Sequence, residues 1–182
     1  MNKKLVLAAP CLAMLAACGG GSTGVANYAS LAAEGQFLIN KYQAEQTTPV
    51  SNMPVGVATY NGVGAFSDTT SNLDAIVANP ALLGDVEIQV NFDTRTLTGT
   101  IDDFVDYNGD EAAGSISISS GSISGNTFNA SLSGSGTLYG QTAAVVAQTN
   151  GVFVGADGSG MLGEVSGYAA GAPFYGVIGA EK

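Results

Sequence analysis

The sequence predicts a mainly β protein: a single small antiparallel β-barrel of about eight strands, preceded by one short helix. Two observations carry this. Val86, Ile88, Val90 and Phe92 alternate with Glu87, Gln89, Asn91 and Asp93, the period-two pattern of a strand with one buried face and one wet face. Downstream of Pro54 short runs of this kind recur between turn residues, and glycines fall repeatedly inside them. A sandwich also satisfies alternation, but interior glycines permit sharply coiled strands and favour the barrel.

The chain opens with a positive stretch, Asn2-Lys3-Lys4, and an apolar run from Leu5 to Leu15. Such a run spans about 16 Å as a helix, roughly half a bilayer core, so it reads as a secretory signal and not a membrane span. At its end, Leu15-Ala16-Ala17-Cys18 resembles a bacterial lipobox. The resemblance implies cleavage before Cys18, a thioether-linked lipid on its sulfur and acylation of the new terminus, which together hold a protein stably to a membrane. Residues 1–17 are then the lipoprotein signal peptide. Residues 18–27 are the lipidated cysteine and a flexible tether, with Gly19 to Gly24 (GGGSTG) as its core. Cys11 leaves with the signal, so neither an internal disulfide nor a thiolate metal site is available.

Residues 28–52 read as a short helix and linker. Leu31, Ala32, Phe37, Leu38, Ile39 and Tyr42 suit an amphipathic helix from Tyr28 to about Gln46, and Pro49 and Pro54 close it off. Residues 53–182 form the barrel domain. Strands are expected at Val55–Tyr60, Val86–Phe92, Thr96–Phe104, Ser115–Ser119, Ser122–Leu132 through a Gly125-Asn126 turn, Gly134–Tyr139, Gly151–Val154, Met161–Ser166 and Phe174–Ala180. Asp93-Thr94-Arg95 suits a tight hairpin, and Asn61-Gly62, Asn108-Gly109 and Asn150-Gly151 mark turns or strand edges. A transmembrane barrel needs strands of roughly nine to eleven residues with lipid-facing apolar bands. Several strands read here are shorter, and their outward faces carry Ser, Thr, Asn and Asp, so a soluble barrel on a tether is expected.

Composition removes several function classes. Loss of the signal leaves Lys41, Arg95 and Lys182 against 15 acidic residues, a net charge of −12. Nucleic acid and anionic lipid depend on Lys and Arg, so neither suits this surface as a partner. The chain has no histidine, so Ser-His-Asp and Cys-His sites cannot be built. Haem ligation would fall to tyrosine or methionine, and no cofactor is expected. Paired carboxylates remain the one enzymatic option, and the acidic residues sit where turns need solvation.

The one cluster with metal-binding chemistry is "DDFVDYNGDE", with Asp102, Asp103, Asp106, Asp110 and Glu111 around Asn108-Gly109. These carboxylates suit a hard cation such as calcium. The spacing does not match an EF-hand, because Gly109 at the sixth position puts Phe104 at the first and Ser115 at the twelfth. A solvated hairpin loop is the expectation. Tyr107, Tyr139, Phe153, Tyr168, Phe174 and Tyr175 are expected in barrel core or strand-surface packing, not in a ligand clamp.

Five segments taken in order, Met53-Pro54 through Gly62, "VEIQVNFDTRTLTGTI", "ISISSGSISGNTFNASLSG", "GVFVGADGSGMLGEVSG" and "FYGVIGAEK", resemble the β-barrel domain of the transferrin-binding protein B-like lipoproteins, the superfamily that includes factor H-binding protein. The likeness runs from about Met53 to Lys182. This chain has room for one barrel and no handle domain, and it carries Ala156, Gly160 and Glu181 where the family pattern favours proline, glutamate and a basic residue. The resemblance implies an outer-membrane, surface-exposed lipoprotein that binds a protein or a metal-carrier ligand, and a monomer is expected. It transfers no binding residue. The alternative is an envelope structural or interaction lipoprotein without a nutrient-binding role.

Overall fold

A computed structural model of the protein describes residues 23–138 and 141–182. Helix α1 (Thr23–Gln43) leads through a 3-10 turn at Val50–Asn52 into β1 (Val57–Ser67), followed by helix α2 (Leu73–Ala78). The strands β2 (Leu82–Asn91), β3 (Thr96–Asp106), β4 (Glu111–Ala112), β5 (Gly114–Ser124), β6 (Thr127–Leu138), β7 (Gln141–Val154), β8 (Gly160–Ala169) and β9 (Ala172–Glu181) complete the chain. Each long strand pairs antiparallel with its neighbours in sequence, and β1 closes the ring by pairing with both β2 and β9. The result is a closed, eight-stranded up-and-down barrel, with the two-residue β4 as an appendage on β3. Bulges between Leu83 and Asp85, Leu97 and Gly99, and Ser119 and Ser122 break the register and bend the wall where β2, β3 and β5 turn the corner.

Alternation sorts the side chains. Tyr60, Val86, Ile88, Val90, Leu97, Ile101, Ile116, Ile118, Leu132 and Ile178 are buried in one continuous core inside the barrel. Phe66 stacks on Phe174 at a centroid distance of 5.1 Å and meets Phe104 edge-on, while Phe153 gathers Tyr60, Phe92 and Phe128 within 6.0 Å. Eight strands leave an interior just wide enough for side chains, and these two aromatic groups fill it. The outward residues Thr59, Asn61, Glu87, Gln89, Thr98, Ser117 and Gln148 are exposed. An apolar inside and a polar outside invert the pattern of a membrane barrel.

A second core lies outside the wall. On α1, Leu31, Leu38, Ile39 and Tyr42 form one stripe at helical spacing: Leu31 and Ile39 pack with Val63, Ala65 and Val177, together with Ile76 of α2, Leu83 and Val105, while Leu38 and Tyr42 pack on Val154. The helix therefore runs up the barrel wall. Tyr28 anchors one end by donating to the Pro80 carbonyl at 2.7 Å, and Tyr42 anchors the other.

Several expectations need revision. The helix begins at Thr23 and ends at Gln43, five residues earlier than the expected Tyr28 start, so residues 23–27 are helical and not tether. Residues 1–22, with Cys18, the signal segment and most of the tether, lie outside the described residues. The barrel strands are ten to fourteen residues long, so length does not distinguish this barrel from a membrane one; the polarity of its outer face does. Gly134 to Leu138 continues β6 and is not a separate strand. Asn61-Gly62 and Asn150-Gly151 lie inside β1 and β7 and do not make turns. At Gly62 the missing Cβ lets the wall close, since a side chain there would strike the Gly179 carbonyl across the β1–β9 seam. The Asp93-Thr94-Arg95 hairpin is present: Asn91 Oδ1 accepts from the Asp93 and Thr94 N–H groups at 3.1 and 3.0 Å, and Arg95 takes φ 57°.

Candidate functional site

With the interior filled, the surfaces open to a partner are the two rims and the outer wall. The strap of residues 47–57 crosses the rim from which β1 starts. Thr47 bridges to Val154, and buried Thr48 donates to the Gly155 carbonyl at 2.8 Å while its own carbonyl accepts from Asn126 Nδ2 at 2.8 Å. Asn52 Nδ2 donates to the Ala156 carbonyl at 3.2 Å, and the Gly56 N–H donates to Asp93 Oδ1 at 3.0 Å. Beneath the strap the buried Tyr60 hydroxyl donates to the Gly158 carbonyl at 2.5 Å, and burial pushes that phenol far up. Pinned along its length, the strap presents Val50, Val55 and Val57 to solvent at 64%, 87% and 59% exposure.

The carboxyl end of α1 closes onto the same rim. Lys41 Nζ lies 2.6 Å from Glu181 Oε2 and 4.6 Å from the centre of the Tyr42 ring, and the Tyr42 hydroxyl donates to Glu181 Oε2 at 2.9 Å. Hydrogen bonds from Lys41 first, and then Tyr42, hold the Glu181 carboxyl below the usual carboxylate range. Lys182 lies 3.7 Å from Asp157 Oδ2. Arg95 sits at the adjacent hairpin tip, so all the Lys and Arg of the described residues lie on this side of the molecule.

The opposite rim carries the acidic loop. Asp106, at the end of β3, is buried, and its Oδ1 accepts from the backbone N–H groups of both Asn108 and Asp110 at 2.9 Å. The Gly109 N–H donates to the Asp106 carbonyl at 2.9 Å, and Asn108 Nδ2 lies 3.4 Å from Asp106 Oδ2. Asp106 therefore organises the turn. Asp110 and Glu111 are exposed beyond it, Asp102 is half-buried, and Asp103 is exposed with φ 47° at an irregular point of β3. The five sequence candidates are neighbours but do not converge. Among the described residues no three His, Cys, Asp or Glu side chains gather in a way that would hold a metal ion.

Asp103 and Glu111 do meet two acidic residues that the sequence reading left aside. A cleft of about 690 Å³ between α1 and the β3–β5 side of the wall is lined by Glu34 and Asp85 as well as Asp103 and Glu111. Partial desolvation by the walls of the cleft, with the Asp103 and Asp102 carboxylates adding repulsion, raises the Asp85 carboxyl above the usual range although solvent still reaches it. Glu34 lies on a helix and Asp85 on a bulged strand, so only the tertiary fold makes them neighbours of the loop.

The aromatic candidates divide. Phe153 and Phe174 are fully buried in the barrel, and Tyr175 packs against the outer core beneath α1. Tyr107 and Tyr168 stand in solvent at 56% and 61% exposure, and Tyr139 lies outside the described residues.

Residues 53–182 match the family described as the C-lobe and N-lobe beta barrels of Tf-binding protein B. No curated protein matches the sequence. Among solved structures, a mutant of transferrin binding protein B from Haemophilus parasuis Hp5 aligns with a TM-score of 0.51 at 20% identity, covering 75% of this chain and 28% of that one. Transferrin binding protein B of serogroup B Neisseria meningitidis aligns with a TM-score of 0.47 at 20% identity over 74% of this chain and 27% of that one. The N-lobe of lactoferrin binding protein B from Moraxella bovis gives 0.37 at 16% identity over 70% and 60%. The chain thus spans little more than a quarter of the transferrin-binding proteins it resembles. The closed antiparallel barrel, from Val57 to Glu181, lies wholly within the matched segment, and this chain belongs to the family of the Tf-binding protein B β-barrels.

Proposed function

We propose that the protein is an outer-membrane lipoprotein, anchored through a lipidated Cys18 and displayed on the cell surface, whose barrel binds a macromolecular partner such as a metal-carrying protein, without catalysis. The observation that carries this reading is the filled barrel. Phe66, Phe104, Phe153 and Phe174 occupy the space in which a calyx would hold a small molecule, so recognition falls to the rims and the outer wall. The solved relatives are named for binding transferrin or lactoferrin, which supports a protein as the partner class. The experiment is capture from serum and from secretions by the lipid-free mature chain starting at Gly19, with Ile88→Asp as the unfolded control. Retention of one host metal-carrier protein supports the reading. Retention of envelope components alone would support the alternative of a structural lipoprotein.

A further inference from the structure

We propose that the barrel stands on the membrane in one orientation, with the rim that carries the acidic loop and the amino end of α1 against the lipid headgroups and the strap of residues 47–57 facing outward. The inference rests on the anchor at Cys18. Only Gly19, Gly20, Gly21 and Ser22 separate that cysteine from the start of α1 at Thr23. Five residue steps reach at most about 18 Å even when fully extended. The helix is not free to swing from this short leash, because Tyr28 is bonded to Pro80 and the stripe from Leu31 to Tyr42 is packed on the wall. From Tyr28 to Tyr42 the helix climbs about 21 Å. From the tether's attachment at Thr23 to Gln43 the whole helix spans about 30 Å, so the strap at its far end lies beyond the reach of the tether.

The near rim has the chemistry of a headgroup contact. Exposed Tyr107 follows β3, and exposed Tyr168 lies at the end of β8, four strands away around an eight-stranded ring, so the two aromatics stand on opposite sides of this rim. Val146, 68% exposed, pairs directly with Tyr168 and widens that contact. Tyrosine, with an apolar ring and a polar tip, is suited to the interface between headgroups and water. Between the two feet the exposed carboxylates of Asp68, Asp74, Asp103, Asp110 and Glu111 have no Lys or Arg among the described residues of that rim. They repel an anionic surface and keep the barrel standing on its rim without sinking.

The test uses the full lipidated chain in vesicles of phosphatidylethanolamine and phosphatidylglycerol carrying a nitroxide-headgroup lipid. With Cys11 removed and the Cys18 sulfur lipidated, a single introduced cysteine is the only free thiol. A bimane label on Ala172→Cys, at the near rim, is expected to be quenched several-fold more than one on Val55→Cys. Inserting about twenty Gly/Ser residues between Ser22 and Thr23 is expected to erase most of that difference. On anionic vesicles, raising the ionic strength is expected to increase quenching at Ala172→Cys, and a decrease would overturn the role given to the carboxylates. Equal quenching at the two positions in a chain that pellets with the vesicles overturns the orientation alone. A chain that does not pellet overturns the anchor as well.

Discussion

The ring of Tyr42 fills the space that a Cβ on Gly160 would occupy, so the carboxyl end of α1 can seat on the barrel only because residue 160 has no side chain. Glu181, on the neighbouring strand, then accepts from both Tyr42 and Lys41. Gly160 and Glu181 pair directly across the β8–β9 ladder, and together they form the dock for the helix. Gly160→Ala is expected to destabilise the protein by about 1–3 kcal/mol, the usual cost of overpacking. Hydrogen exchange should show the last turn of α1 losing protection first, while β5 and β6 keep theirs.

The ion pair at this dock gives a pH dependence of known sign. Glu181 has a lowered carboxyl in the folded state, so its contribution is present above the ordinary glutamate range and is lost as the pH falls through the folded value. Glu181→Gln should therefore lower the melting temperature at neutral pH and have little effect in acid. Tyr42→Phe, which removes the hydroxyl shared between Glu181 and the Ser159 carbonyl and keeps the ring on Gly160, should cost about 1 kcal/mol.

Asp85 behaves in the opposite way. Its folded-state carboxyl is raised, so the protonated form is favoured and the charged form weakens the fold as the pH rises through that value. Asp85→Asn is expected to stabilise the protein at neutral pH, and the gain should vanish on acidification below the ordinary aspartate range. Solvent reaches this exposed residue, so the effect belongs to the scale of surface charge pairs, about 0.5 kcal/mol. Thermal melts of both chains across the acid range check the sign.

In the acidic loop, Asp106→Ala should cost about 1–3 kcal/mol by leaving the Asn108 and Asp110 N–H groups without their acceptor. Added millimolar calcium should leave the melting temperature of the unaltered protein nearly unchanged. A calcium stabilisation approaching ~2.7 kcal/mol, the linkage expected at a hundredfold excess over Kd, would contradict the structural role assigned to Asp106.

The barrel was legible where large apolar residues alternate, as at Val86, Ile88 and Val90, and Ile88→Asp should unfold the chain by burying a charge in the core. Most of β7 was not legible. Apart from Val145, its inward residues Ala143, Ala147 and Thr149 are small or polar, while Val146 points into solvent, so the hydrophobic contrast between faces is weak. In β1, Gly62 and Gly64 interrupt the alternation, and Val63 and Ala65 are buried on the outer face by α1, so both faces read alike. The acidic loop was visible as composition. That Asp106 turns inward to cap it, while Asp103 and Glu111 face a cleft shared with Glu34 and Asp85, depends on contacts across the fold that spacing does not encode.

Val55 offers the most direct test of display at the cell surface, because it is 87% exposed on the strap and the mature chain has no other free thiol once Cys18 carries lipid. Intact cells expressing Val55→Cys are treated with a membrane-impermeant maleimide, alongside lysed cells and a Cys18→Ser companion. The account predicts that the membrane-bound Val55→Cys chain is labelled in intact cells as fully as after lysis, while Cys18→Ser releases the chain into the soluble fraction. Labelling of a membrane-bound chain only after lysis would contradict surface display.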